Sequence, residues 1–149
     1  MKKKMVMSVM VASMVFGGVA IAHEGATGVI KERMEMMGVM KNAMKVLVPM
    51  MKGEVDYDAA AVREQAKNIQ SVSGEVFTSK FPEGSLMHPS EAKEEIWTNW
   101  AEFTKLSVQM QDAGKALELA ADTKADAMAA FGNVGKTCGA CHSQFRVKK

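Results

Sequence analysis

The sequence predicts an all-α protein, an antiparallel up-down-up-down four-helix bundle, and three observations carry that reading. Apolar residues recur at steps of three and four in four separate segments. No stretch of useful length alternates with the period of two that a strand requires. The connections are short or moderate, with one substantial loop, "SKFPEGSLMHPS", and such connections make consecutive helices antiparallel neighbours.

The first helix is expected from about Thr27 to Lys52, with Ile30, Met34, Met37, Met40, Met44, Leu47 and Met51 forming its seam. Pro49 strains the last turn, and Gly53 ends it. The second opens at Asp58, an N-cap, and carries Val62, Ala66, Ile69, Val72 and Val76 as far as about Thr78. Two of the three prolines and a glycine then mark the loop. The third helix is expected from Ser90, where Glu91, Glu94 and Glu95 sit near the positive end of the helix dipole as a solvated cluster. Its stripe is Ile96, Trp100, Phe103, Leu106, Met110, Ala113 and Leu117, with Trp100 read as core or cofactor-edge packing. Asp122 or Thr123 caps the fourth, whose stripe is Met128, Phe131, Val134, Cys138, Cys141 or His142, and Phe145.

Ahead of these helices, residues 1–22 have the parts of an export signal. Lys2 to Lys4 form a basic stretch, an apolar run follows, and Ala20-Ile21-Ala22 is a small-residue cleavage box. An uncleaved anchor is the alternative, which Gly17-Gly18 and the box disfavour. Cleavage after Ala22 leaves one domain, residues 23–149, with 16 basic against 17 acidic residues. The basic pI of about 8.5 therefore belongs to the targeting segment, and it implies neither a nucleic-acid partner nor membrane insertion after cleavage. The expected location is the periplasm.

Cys138 and Cys141 are the only cysteines, spaced C-x-x-C and followed at once by His142. Four uses compete for them. A disulfide across so short a loop would staple almost nothing. Zinc needs a fourth ligand, and His23 and His88 have no pairing that supplies one. A thioredoxin-type dithiol needs a preceding strand, which the pattern does not offer. Covalent haem fits best: one haem c per chain, with both thiols adding to its vinyl groups and His142 as axial ligand.

With those residues in place the chain resembles the class II cytochromes c, the cytochrome c′ family. The resemblance rests on "HEGATGVIKERMEMMGVMKNAMK", "KGEVDYDAA", "FPEGS", "EIW" and "FGNVGKTCGACHSQFRVKK", and spans essentially the whole mature chain. It implies thioethers at Cys138 and Cys141 and ligation by His142. It places Arg33 near the haem propionates, against the plain reading of a solvated helix charge, and puts Ser85 in a loop bordering the haem. Arg146, one turn beyond His142, either lies near the haem or faces water. The family divides by the group opposite the histidine, which the resemblance places four residues after the arginine, at Met37. A ligating Met37 gives the low-spin c-556 type and suits a periplasmic electron carrier with redox-protein partners. An unligated Met37 gives a five-coordinate, high-spin protein that binds or sequesters nitric oxide. No set of residues suggests catalysis, so the chain is read as no enzyme. The resemblance also allows a homodimer through the first two helices, for which exposed apolar residues there would be needed.

Overall fold

A computed structural model describes residues 25–148. The export signal, its cleavage site after Ala22 and His23 lie outside the described residues. Helix α1 (Gly28–Lys52) ends where Gly53 takes a left-handed φ of 77°. There the Gly53 and Glu54 amides donate to the Met50 and Pro49 carbonyls at 3.1 and 2.9 Å, closing the end of the helix as the Pro49–Gly53 reading expects. Helix α2 (Ala59–Ser71) begins under its predicted cap: Asp58 Oδ1 accepts from the Ala60 and Ala61 amides at 2.8 and 3.2 Å.

The second helix does not run unbroken to Thr78. It stops at Ser71, and a four-residue turn, α3 (Glu75–Thr78), follows. Gly74 makes the break. Its φ is 69°, its amide donates to the Ser107 carbonyl at 3.1 Å, and its carbonyl accepts from Ser107 Oγ at 3.0 Å. A Cβ there would meet only the movable end of the exposed Gln111 side chain, Oε1 at 2.7 Å, so the left-handed φ is what reserves the position for glycine. Past the break the register changes, and Val76, expected on the buried stripe, is half exposed.

The third helix also starts late. Residues 90–93 are extended against the chain's end, α4 (Glu95–Thr98) is a single turn, and α5 (Trp100–Leu119) is the long element. Its predicted stripe is buried except at Trp100, which is 40% exposed with its ring 5.5 Å from that of Phe103. Trp97 is the more enclosed of the two, and its indole Nε1 donates to the Phe81 carbonyl at 3.0 Å. Helix α6 (Lys124–Phe145) is capped by Thr123, whose hydroxyl accepts from the Asp126 amide at 3.2 Å. Ala127 and Ala130 take the core places near its start, and Met128 faces solvent.

Helix α2 packs along α5, α5 along α6, and α1 along α2, whereas α1 and α6 touch only briefly. The four long helices therefore form a ring whose α1/α6 seam is thin. Among the described residues the only strand-like pairing is one isolated bridge, Ala92 to Arg146. One core cluster, with Leu47, Val62, Ala66, Ile69, Leu117 and Val134 at its centre, fills the end of the bundle far from the loop. A second, more aromatic cluster gathers Phe77, Phe81, Ile96, Phe103, Leu106 and Phe145, with Met36 and Met37 of α1 against it. Among the described residues, the large apolar side chains exposed to solvent lie off α1 and α2.

Gly114 shows how closely α2 and α5 approach. In an open helix, glycine to alanine gains about 1 kcal/mol. Here an added Cβ would sit 2.9 Å from Gln70 Cγ and 3.2 Å from the Ala66 carbonyl oxygen. Overpacking wins, so Gly114→Ala is expected to lower stability by about 1–3 kcal/mol in urea unfolding.

Candidate functional site

The thin seam encloses a cavity of about 640 Å³ between α1, α5, α6 and the segments around Phe77–Phe81 and Pro89–Ala92. Its size falls within the roughly 300–1,000 Å³ of cofactor sites. Its walls follow from the helical registers. From α1 come Met34, Met37, Met40 and Met44, three and four residues apart on one face. Helix α5 contributes Phe103, Leu106 and Met110, and α6 contributes Cys138, Cys141 and His142. The cysteines, one helical turn apart, are half-buried and free. Burial pushes both thiols up, Cys141 to about 11 with a further contribution from Cys138. Desolvation, and then the Arg146 charge, hold His142 below the ordinary histidine value, which favours the neutral imidazole a metal binds. Among the described residues no group of three His, Cys, Asp or Glu side chains could hold a metal ion by itself.

Arg33 is no solvated helix charge. It is 5% exposed, and burial lowers its pKa. Nη2 donates to the Ser85 carbonyl at 2.5 Å, Nε donates to the Val29 carbonyl at 3.3 Å, and the guanidinium carbon lies 4.5 Å from the centroid of the Phe81 ring. Among the described residues its Nη1 has no hydrogen-bond partner. A buried cation with an unsatisfied donor on a cavity wall is costly unless an anionic group meets it. The donor set therefore fits haem: two thiols for thioethers, an imidazole for iron, apolar walls for the ring and a buried guanidinium for a carboxylate. Arg33→Leu is accordingly expected to lower the stability of the haem-loaded protein by about 1–3 kcal/mol, read from urea midpoints.

The proximal end is closed by contacts that sequence reading assigned otherwise. Arg146 Nε and Nη2 both donate to Glu91 Oε2, at 2.9 and 2.6 Å. Beside them the Val147 amide donates to the Glu91 carbonyl at 2.8 Å, and the Lys93 amide to the Phe145 carbonyl at 3.0 Å. Glu91 thus clamps the tail that follows His142 and is no part of a helix start. No periodicity could have signalled this, because the pairing joins residues 55 apart. The structure brings Arg33, Met37, Cys138, Cys141 and His142 to one cavity, whereas Ser85 is tied to it only through its carbonyl, which accepts from Arg33.

Comparison with known proteins agrees with the geometry. The family model described as cytochrome C′ matches residues 28–146. Cytochrome c-556 of Agrobacterium fabrum is 32% identical over 139 residues, 93% of this chain and 94% of the relative. Among solved structures, cytochrome c′ from Rhodopseudomonas palustris superimposes with a TM-score of 0.78 at 30% identity, over 83% of this chain and 99% of the other. A nitric oxide complex of a mutant of cytochrome c′ from Alcaligenes xylosoxidans gives 0.72 at 31% identity, over 81% and 94%.

Proposed function

The chain belongs to the cytochrome c′ family, and from that premise we propose that it is a periplasmic one-electron carrier whose iron is held between His142 and Met37. Members of the family carry covalently attached haem c, and Cys138 and Cys141 are the matching cysteines here. Bound haem supplies an iron that cycles between ferric and ferrous, and histidine–methionine ligation raises its potential. The protein's own residues do the rest. Cys138, Cys141 and His142 would hold the ring on α6, and Met37 would offer a soft sulfur from the α1 wall. The phenyl rings of Phe77, Phe81 and Phe103 keep the surroundings dry, and Arg33 balances negative charge inside them.

The observation that carries this reading is Met37 itself, half-buried, packed on the aromatic cluster and lining the cavity that Cys138, Cys141 and His142 also line. A second reading, a five-coordinate protein that binds nitric oxide, is favoured by the likeness to the nitric oxide complex of the Alcaligenes protein. Absorption spectra of the oxidised and reduced protein, with and without carbon monoxide, separate the two. A low-spin ferric spectrum and a reduced form that ignores the gas support the carrier. A high-spin spectrum with ready uptake supports the gas binder.

A further inference from the structure

Charge is divided unevenly over the mature chain. Segments 36–52 and 127–149 carry seven lysines and arginines and not one acid, whereas the remainder of 23–149 carries nine basic and 17 acidic residues. The acid-free segments are most of α1 and nearly all of α6, the two helices that flank the thin seam. Of all residues lining the haem cavity only Lys41, His142 and Arg146 are exposed, Lys41 on α1 and the other two on or just past α6. The mouth is therefore framed from both sides by the basic half of the molecule.

Around it the positive charge is mostly uncompensated. Glu91 is the one acid lining the cavity, and it is engaged by Arg146. Lys52 pairs with Glu54. Among the described residues the ion pairs leave Lys41, Lys45, Lys136 and Lys148 without a carboxylate. Lys45 lies one turn beyond Lys41, Lys136 adjoins the lining residue Thr137, and Lys148 shares a surface depression of about 420 Å³ with His142 and Arg146. Charges of one sign around the mouth of a cleft focus the field there and raise encounter rates with oppositely charged partners.

We propose that this mouth is the docking surface for an acidic redox protein, a one-electron partner that presents a carboxylate-rich face at the α1/α6 seam. The inference rests on the carrier reading above and adds the kind of partner. In the exchange one electron passes from the reduced partner to ferric haem, giving the oxidised partner and ferrous haem. No other bond changes. The docked pair buries Lys45, Lys136 and Lys148 against carboxylates, and salt screens that attraction beyond roughly 10 Å at 0.1 M.

The test is stopped-flow reduction of the haem-loaded protein by two probes, a reduced acidic plant-type [2Fe–2S] ferredoxin and cationic hexaammineruthenium(II). The ferredoxin rate should fall about tenfold between about 10 and 200 mM ionic strength, and the ruthenium rate should stay level or rise. The triple variant Lys45→Glu, Lys136→Glu, Lys148→Glu should keep the wild-type spectrum and lose about tenfold of the ferredoxin rate at low salt. Reversal of acids on the opposite face, Glu64→Lys with Asp112→Lys, should not lower that rate. Equal salt dependence for both probes, or a triple variant as fast as wild type, overturns the proposal. So does tight binding to phosphatidylglycerol vesicles at 150 mM salt, lost in the triple variant while its ferredoxin rate is unchanged. Failure of the carrier reading looks different: the protein is reduced by dithionite and exchanges electrons with neither probe.

Discussion

Met37→Ala is expected to leave haem attached yet turn a low-spin spectrum into a high-spin one in both oxidation states. Removing the sulfur should raise carbon monoxide affinity roughly a hundredfold, the factor lost to a competing bond worth about 2.8 kcal/mol. The reduction potential should fall by on the order of 100 mV, a modest part of the ~0.8 V that axial ligands can span. Met34, Met40 and Met44 line the same cavity and serve as controls. Alanine at Met34 or Met44 should cost about 2–5 kcal/mol of stability at most, through lost packing, and leave the spin state alone. A Met37→Ala spectrum identical to wild type would remove the sulfur from the iron.

The second large effect concerns the tether. With Cys138→Ser and Cys141→Ser together, the polypeptide should lack covalent haem, and its mass should be that of the bare chain. The consequence for folding is larger than two lost thioethers suggest. Without the ring, the large apolar side chains lining this cavity of about 640 Å³ would lose the neighbour they pack on, at about 2–5 kcal/mol for each one fully deprived of its contacts. Whole domains are stable by only about 5–15 kcal/mol. The variant is therefore expected to close or loosen the site, losing near-ultraviolet circular dichroism while keeping much of its far-ultraviolet helical signal. Native near-ultraviolet bands in the colourless variant would contradict this.

The parts of the fold that depend on local chemistry were legible from the residues. The α1 seam, the Asp58 cap, the Gly53 stop and the C-x-x-C-H pair each act within one or two helical turns, and each stands where periodicity or capping rules place it. What was not legible depends on distant chain. Gly74 breaks α2 because Ser107 of α5 takes its backbone hydrogen bonds, and Val76 is displaced from the core as a result. Residues 90–93 forgo a helix because the tail after α6 pairs with them. Arg33 looked as suited to water as to the interior, since only the Ser85 carbonyl and the Phe81 ring, both some fifty residues away, show that it is enclosed. Trp100 and Met128 matched the helical stripe and still face solvent, because neighbours decide which flank of a stripe is covered.

The slight contact between α1 and α6 has a dynamic consequence. The first half of α1 is fastened to the rest by the links of Arg33 to Ser85 and Lys80 to Glu32 and by Ile30, Met36 and Met37 along the aromatic side, whereas its second half is sunk in the main core with Ala43 and Leu47 fully enclosed. In the haem-free chain, where no bond to Met37 holds it, breathing should thus begin by α1 swinging away over residues 30–38, at a fraction of the free energy of global unfolding. Amide exchange along that one helix would then run in two tempos, quick before Met40 and slow after it.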